Sequence, residues 1–179
     1  MTQITKSEAA VLERIEQQPM LDRTMTWAKI NSGTANLEGL AAMAQQLGDA
    51  FAELPGEVEL VEPDPVETMQ PDGAIQTLER GKHLVATVRP DAPVQLLFTG
   101  HMDTVFPVDS GFQELSWRED NILNGPGVAD MKAGLVLNIF VLRALKRLAP
   151  LPFPVRALFT ADEEIGSRDG TAFIREAAS

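Results

Sequence analysis

Two apolar runs of the same character, "VQLLFT" at 94–99 and "VRALFT" at 155–160, stand on either side of the longest helical pattern in the chain, "DMKAGLVLNIFVLRALKRLA" at 130–149. Strands joined through a helix lie in one sheet as parallel neighbours, linked by a right-handed crossover, and such sheets carry helices on their faces. This unit restricts the chain to an α/β architecture. A strand as uniformly apolar as "VQLLFTG" is expected to be buried on both faces.

The remaining segments fit around that unit. Ala10, Val11, Leu12 and Ile15 mark a short first helix, and "LDRTMTWAKIN" a second that ends at "NSGT". In "NLEGLAAMAQQLGDAFAELPG", Leu40, Met43, Leu47 and Phe51 recur at helical spacing. Asn36 supplies an N-cap there and Pro55-Gly56 a stop. "EVELVE" is a strand and "PDPVETMQPDG" a Pro-rich surface loop, while "AIQTLERGKHLVATVRP" is expected to form a hairpin turning at Arg80-Gly81-Lys82. "FQELSWREDNILNGPG" is less regular. Lys146 and Arg147 close the long helix favourably for its dipole, Pro150, Pro152 and Pro154 punctuate the turn into the last strand, and "SRDGTAFIREAAS" starts another helix.

Composition excludes several functions. With 179 residues, 44% of them hydrophobic, the chain is long enough for one domain with a real core. Its formal charge of −11 disfavours nucleic acid and anionic membranes, which attract clustered Lys and Arg. It has no cysteine, so disulfides and thiolate metal sites are ruled out. No apolar run approaches the ~20 residues of a membrane span, and the N-terminus shows no secretory pattern. A cytoplasmic location is the expectation.

Polar chemistry collects where the strands end. "VQLLFT" runs into His101 and Asp103, "VRALFT" into Asp162, Glu163 and Glu164, and "GPGVAD" brings Asp130 to the start of the long helix. In open α/β sheets that rim is where ligands bind. One imidazole with several carboxylates suits one or two divalent cations. Asp103, on the same face of a strand as His101, is placed to accept the second ring N–H of a metal-bound imidazole. Each element also has a plainer account. A His at a strand end can be a satisfied polar residue, "DEE" an acidic helix start, and Asp130 a cap. "NGPGVADMKAG" is a poor phosphate loop, because Ala follows Lys132 and Asp130 takes the place of a glycine. His83 has no acidic cluster around it in sequence and is expected at the surface.

Together and in order, "GHMDTVFP", "GPGVADMKAG" and "TADEEIGS" resemble the successive metal-site motifs of the co-catalytic zinc metallopeptidases. That family includes glutamate carboxypeptidase, acetylornithine deacetylase, succinyl-diaminopimelate desuccinylase and aminoacylase. "WAKINSGTANLEGL" resembles the start of the glutamate-carboxypeptidase-like branch. The resemblance implies a three-layer sandwich, a mostly parallel mixed sheet flanked by helices, incomplete at the C-terminus. It implies two zinc ions, with cobalt as a substitute, and hydrolysis of an amide bond in a small peptide or N-acyl amino acid. His101 and Glu164 would each bind one of the two metals, Asp130 would bridge them, and Asp103 would orient His101. Glu163 would be the general base and acid. Gly127 and Gly134 would allow the tight entry into the helix, with a cis peptide at Asp130-Met131.

The resemblance also implies ligands that the sequence does not show. No His follows His101, and the only carboxylates after Glu164 are Asp169 and Glu176. The family's further acidic ligand, lid or dimerisation domain and late His are missing. Residues 1–179 are therefore expected to be the N-terminal part of a catalytic domain, inactive by itself, or else a short relative that binds a partner without catalysis. The family implies a homo-oligomer.

Overall fold

The computed structural model describes residues 4–89, 96–148 and 155–178. Three helices come first: α1 (Lys6–Leu12), α2 (Gln17–Ala28) and α3 (Leu37–Phe51). Thr5 opens α1 through a capping box with Glu8, and the Asn36 side chain accepts the Gly39 N–H at the start of α3. Leu40, Met43, Leu47 and Phe51 form the buried stripe of α3, as their spacing requires.

Strands β1 (Glu57–Val61), β2 (Val66–Met69), β3 (Ile75–Leu78), β4 (His83–Val88) and β5 (Leu96–His101) follow. After them come β6 (Ser116–Glu119), β7 (Ile122–Asn124), α4 (Ala133–Leu148), β8 (Val155–Thr160) and α5 (Gly170–Ala177). The main sheet has the order β1-β4-β8-β5. Its β5–β8 pair is parallel, with His101 level with Thr160, and its β1–β4 and β4–β8 pairs are antiparallel. The strand–helix–strand unit thus forms, set inside a mixed sheet.

Side chains of β4 and β8 alternate between two layers. Leu84, Ala86, Val88, Val155, Ala157 and Phe159 join the core built with α3 and α4, including Leu47, Phe51, Leu135 and Ile139. The opposite face of β8 meets α5. No described helix is long and apolar enough to cross a membrane.

Four expectations are corrected. The segment 74–90 is not a hairpin, because β3 pairs with β2 whereas β4 pairs with β1 and β8. The "PDPVETMQPDG" segment is not all loop. Its prolines flank Val66–Met69 without interrupting it, and Gly73 at φ 84° turns the chain back into β3. Strand β5 is not buried on both faces. Among the described residues it is an edge strand, leaving Leu96 and Leu97 40% and 36% exposed, while β8 holds the interior place. The irregular stretch after it contains the antiparallel ribbon β6–β7. Pro150, Pro152, Pro154, the first residues of the "VQLLFTG" run and the Arg147 side chain fall outside what the structure describes.

Candidate metal centre

The parallel register of β5 and β8 brings two chain ends to one rim. Beyond Thr160, the Met102 N–H donates to the Thr160 carbonyl at 2.8 Å, so the two strand exits stay side by side. His101 ends β5, and a 3-10 turn, Glu163–Ile165, follows β8. The third contribution comes from the irregular turn Val128–Lys132, where Asp130 and Met131 leave helical geometry and are joined by a cis peptide. Gly127 enters this turn at φ 67°, and a Cβ there would come within 2.8 Å of Thr104 Cγ2. Only glycine meets both demands at low cost.

His101, Asp130 and Glu164 each offer one ligand atom, all within 4.8 Å of one another. One imidazole nitrogen with two carboxylate oxygens is a donor set suited to zinc or a similar divalent cation. His101 is buried, and its Nε2 lies 3.0 Å from Asp130 Oδ1 and 3.8 Å from Glu163 Oε2. Its Nδ1 faces Asp103, 3.0 Å from the carbonyl and 3.3 Å from Oδ1.

Asp103 is fully buried, and it organises the rim. Its Oδ1 accepts the Glu163 N–H at 3.2 Å, and its Oδ2 accepts the Glu164 N–H at 3.1 Å and the Thr34 hydroxyl at 2.8 Å. One carboxylate therefore fixes both the imidazole and the backbone that presents the two glutamates. Burial raises its pKa, but the bonds from His101, Thr34 and the Glu164 amide outweigh that, and the group stays below the usual carboxylate value.

The charges around His101 favour a positive group at this rim. Burial lowers the imidazole pKa, yet the hydrogen bond and charge of Asp103 and the hydrogen bond to Asp130 carry it up to about 9. Glu164 is raised, first by burial and then, against the opposing His101 charge, by Asp130, Asp103 and Glu163. Carboxylates that push one another's proton affinity upward form a place where positive charge is stabilised. A groove of about 670 Å³ runs from Glu164 and Ile165 past Thr34–Leu37 to Val105 and Val108.

Several positioning residues were not singled out in the sequence. Ser32 donates its hydroxyl to the Met102 carbonyl at 2.8 Å, Gly33 bridges to Thr104, and Thr34 holds Asp103. The Lys132 ammonium, buried beside the turn, donates to the Ile30 carbonyl at 2.5 Å, and burial lowers its pKa to about 8. For Ser32, Gly33 and Thr34 the signal in the sequence was the small, polar make-up of "NSGT". His83 corrects an expectation outright. It is fully buried, its ring packs on Phe173, and Asp162, Asp169 and Asp103 act on it electrostatically. The acidic neighbours come from the exits of β5 and β8 and from the start of α5, all remote in sequence.

Residues 97–178 match the model of Peptidase family M20/M25/M40. Carboxypeptidase G2 of Pseudomonas sp. (strain RS-16) is 28% identical over 166 residues, 91% of this chain and 37% of that protein. Human carnosine dipeptidase 1 shares the fold with a TM-score of 0.76 at 22% identity, over 94% of this chain and 37% of that one. Aminopeptidase PepT from Bacillus cereus ATCC 10987 aligns with a TM-score of 0.65 at 28% identity, over 91% of this chain and 41% of that one. The chain spans well under half the length of each. The matched segment contains His101, Asp103, Asp130, Glu163 and Glu164, so the part of the chain that carries the candidate site is the part that resembles peptidase family M20/M25/M40.

Proposed function

We propose that this chain contributes a metal centre to the hydrolysis of an amide bond in a small peptide or N-acyl amino acid. The observation that carries the reading is the convergence of His101, Asp130 and Glu164 within 4.8 Å, inside the segment that matches the peptidase family. His101 Nε2 and carboxylate oxygens of Asp130 and Glu164 would hold a divalent cation, zinc by preference and cobalt as a substitute, with Asp130 placed to bridge to a second. When bound, such a cation supplies Lewis acidity and brings the pKa of site water down toward neutrality.

The chain's own residues do the rest. Asp103 accepts the His101 Nδ1 proton and keeps Nε2 aimed into the site. Glu163, with its carboxylate 53% exposed and 3.8 Å from His101 Nε2, can take a proton from water and return it to a leaving amine. The groove along Thr34, Val105 and Val108 would take the apolar part of a substrate. The carboxypeptidase name of the relative makes a C-terminal amino acid the first substrate class to test. A cytoplasmic, homo-oligomeric protein that engages neither nucleic acid nor membrane fits the acidic composition.

Titration calorimetry with zinc or cobalt tests the centre. Only one group of three potential ligands exists among the described residues, and catalytic zinc sites use about three protein ligands per ion. We expect this chain to take up one divalent ion and to hydrolyse N-acyl amino acids and dipeptides poorly or not at all, turnover requiring ligands that complete a second site. No uptake at millimolar cobalt would sink the metal reading. Two tightly held ions with robust turnover would sink the single-site expectation.

A further inference from the structure

We propose that His83 is a positioning residue for the metal centre, fixing the exit of β8 by accepting the Ala161 N–H on its Nδ1. The β4–β8 ladder ends at Leu84 and Phe159. Beyond that pair β8 runs one residue further beside β5 alone, to Thr160, and the Ala161 N–H that follows has no β4 carbonyl paired with it. The first residue of β4 fills that gap with a side chain, the Ala161 N–H donating to His83 Nδ1 at 3.2 Å. A buried amide left unpaired is costly, so this bond decides where the exit runs.

Its position gives it consequence. On the other side of the same exit, Thr160 accepts from Met102, and the amides of Glu163 and Glu164 donate to Asp103. His83 therefore braces from β4 what Asp103 holds from β5, two residues ahead of the proposed proton carrier and three ahead of a proposed ligand. Accepting on Nδ1 places the ring proton on Nε2, which has no hydrogen-bond partner among the described residues. Burial favours this neutral form against the pull of Asp162, Asp169 and Asp103. The ring also packs on Phe173 with centroids 5.0 Å apart, so a purely space-filling role has to be separated from the hydrogen bond.

Two variants separate them. His83→Phe keeps a ring against Phe173 and deletes the acceptor, whereas His83→Asn shrinks the ring and keeps an acceptor oxygen near the place of Nδ1. The first readout is amide exchange at Ala161 by NMR on the full chain without metal; the second is cobalt titration. We expect His83→Phe to exchange the Ala161 amide roughly tenfold faster and to bind cobalt roughly 10–100-fold more weakly, with His83→Asn recovering both. Wild-type protection and affinity in His83→Phe, or an Asn variant no better than the Phe variant, would overturn the proposal. If neither variant folds, ring ¹⁵N shifts of the wild-type protein decide: a proton on Nδ1 overturns it and one on Nε2 supports it. The second readout rests on the metal reading above. A wild-type chain that takes up no cobalt defeats that reading, while the exchange measurement still decides the role of His83.

Discussion

At the scale of single residues, proton and cation compete for His101. Its pKa of about 9, against an ordinary 6.5, means that the imidazole carries a proton at neutral pH when no metal is held. A raised pKa contributes stability that is fully present below about 6.5 and is lost as pH rises through about 9. The metal-free chain should therefore lose stability between pH 7 and pH 9.5, measured by urea unfolding. Metal needs the neutral ring. Uptake of zinc at pH 7.5 should accordingly release close to one proton, and apparent affinity should climb with pH until about 9. Calorimetry in buffers of different ionisation heat reads the proton count; none released means that His101 is not a ligand. The adjacent glutamates should differ in kind. In a form of the protein whose site is completed by further ligands, Glu163→Gln should lower kcat by ~10²–10⁴-fold with metal content intact. Glu164→Ala should lose metal and activity together. Equal metal content in both variants would return the "DEE" to an ordinary acidic turn.

At the scale of elements, the turn into α4 is the most exacting. Gly127→Ala should cost about 1–2 kcal/mol from the left-handed backbone alone, and more from the approach to Thr104 and Lys132, read as a lower urea midpoint. This turn was legible only through the resemblance of "GPGVADMKAG" to a known motif, since its residues alone also allowed Asp130 to be a plain cap. Helix α3, with its Asn36 cap, and the β5–α4–β8 unit were legible from the residues themselves: periodicity and caps are local. Partners were not. The alternation in β4 says that it is a strand but not whether it pairs with β3 or with β1 and β8. For the same reason His83 read as a surface residue, since its burial depends on α5 and on a strand more than seventy residues away. Thr34 and Ser32 were hidden likewise. A short polar loop looks alike whether it faces water or braces a carboxylate.

At the scale of the whole molecule, the edge strand β5 places partly exposed Leu96 and Leu97 on a row of backbone groups that can pair with another chain. Self-association is the expected behaviour, and light scattering across a wide concentration range should show mass rising with concentration. A strictly monomeric profile would count against it. The anchoring of Asp103 reaches further than the site's geometry. Thr34, Asp103 and Glu164 are linked across 69 and 61 residues, and those links exist only in the folded chain. A disordered chain consequently has little use for the ion, and the ion becomes a ligand of foldedness itself. At a hundred times its dissociation constant, a ligand of the native state alone adds about 2.7 kcal/mol to stability. The melting temperature would then serve as a gauge of free metal, and chelation would act as a mild denaturant.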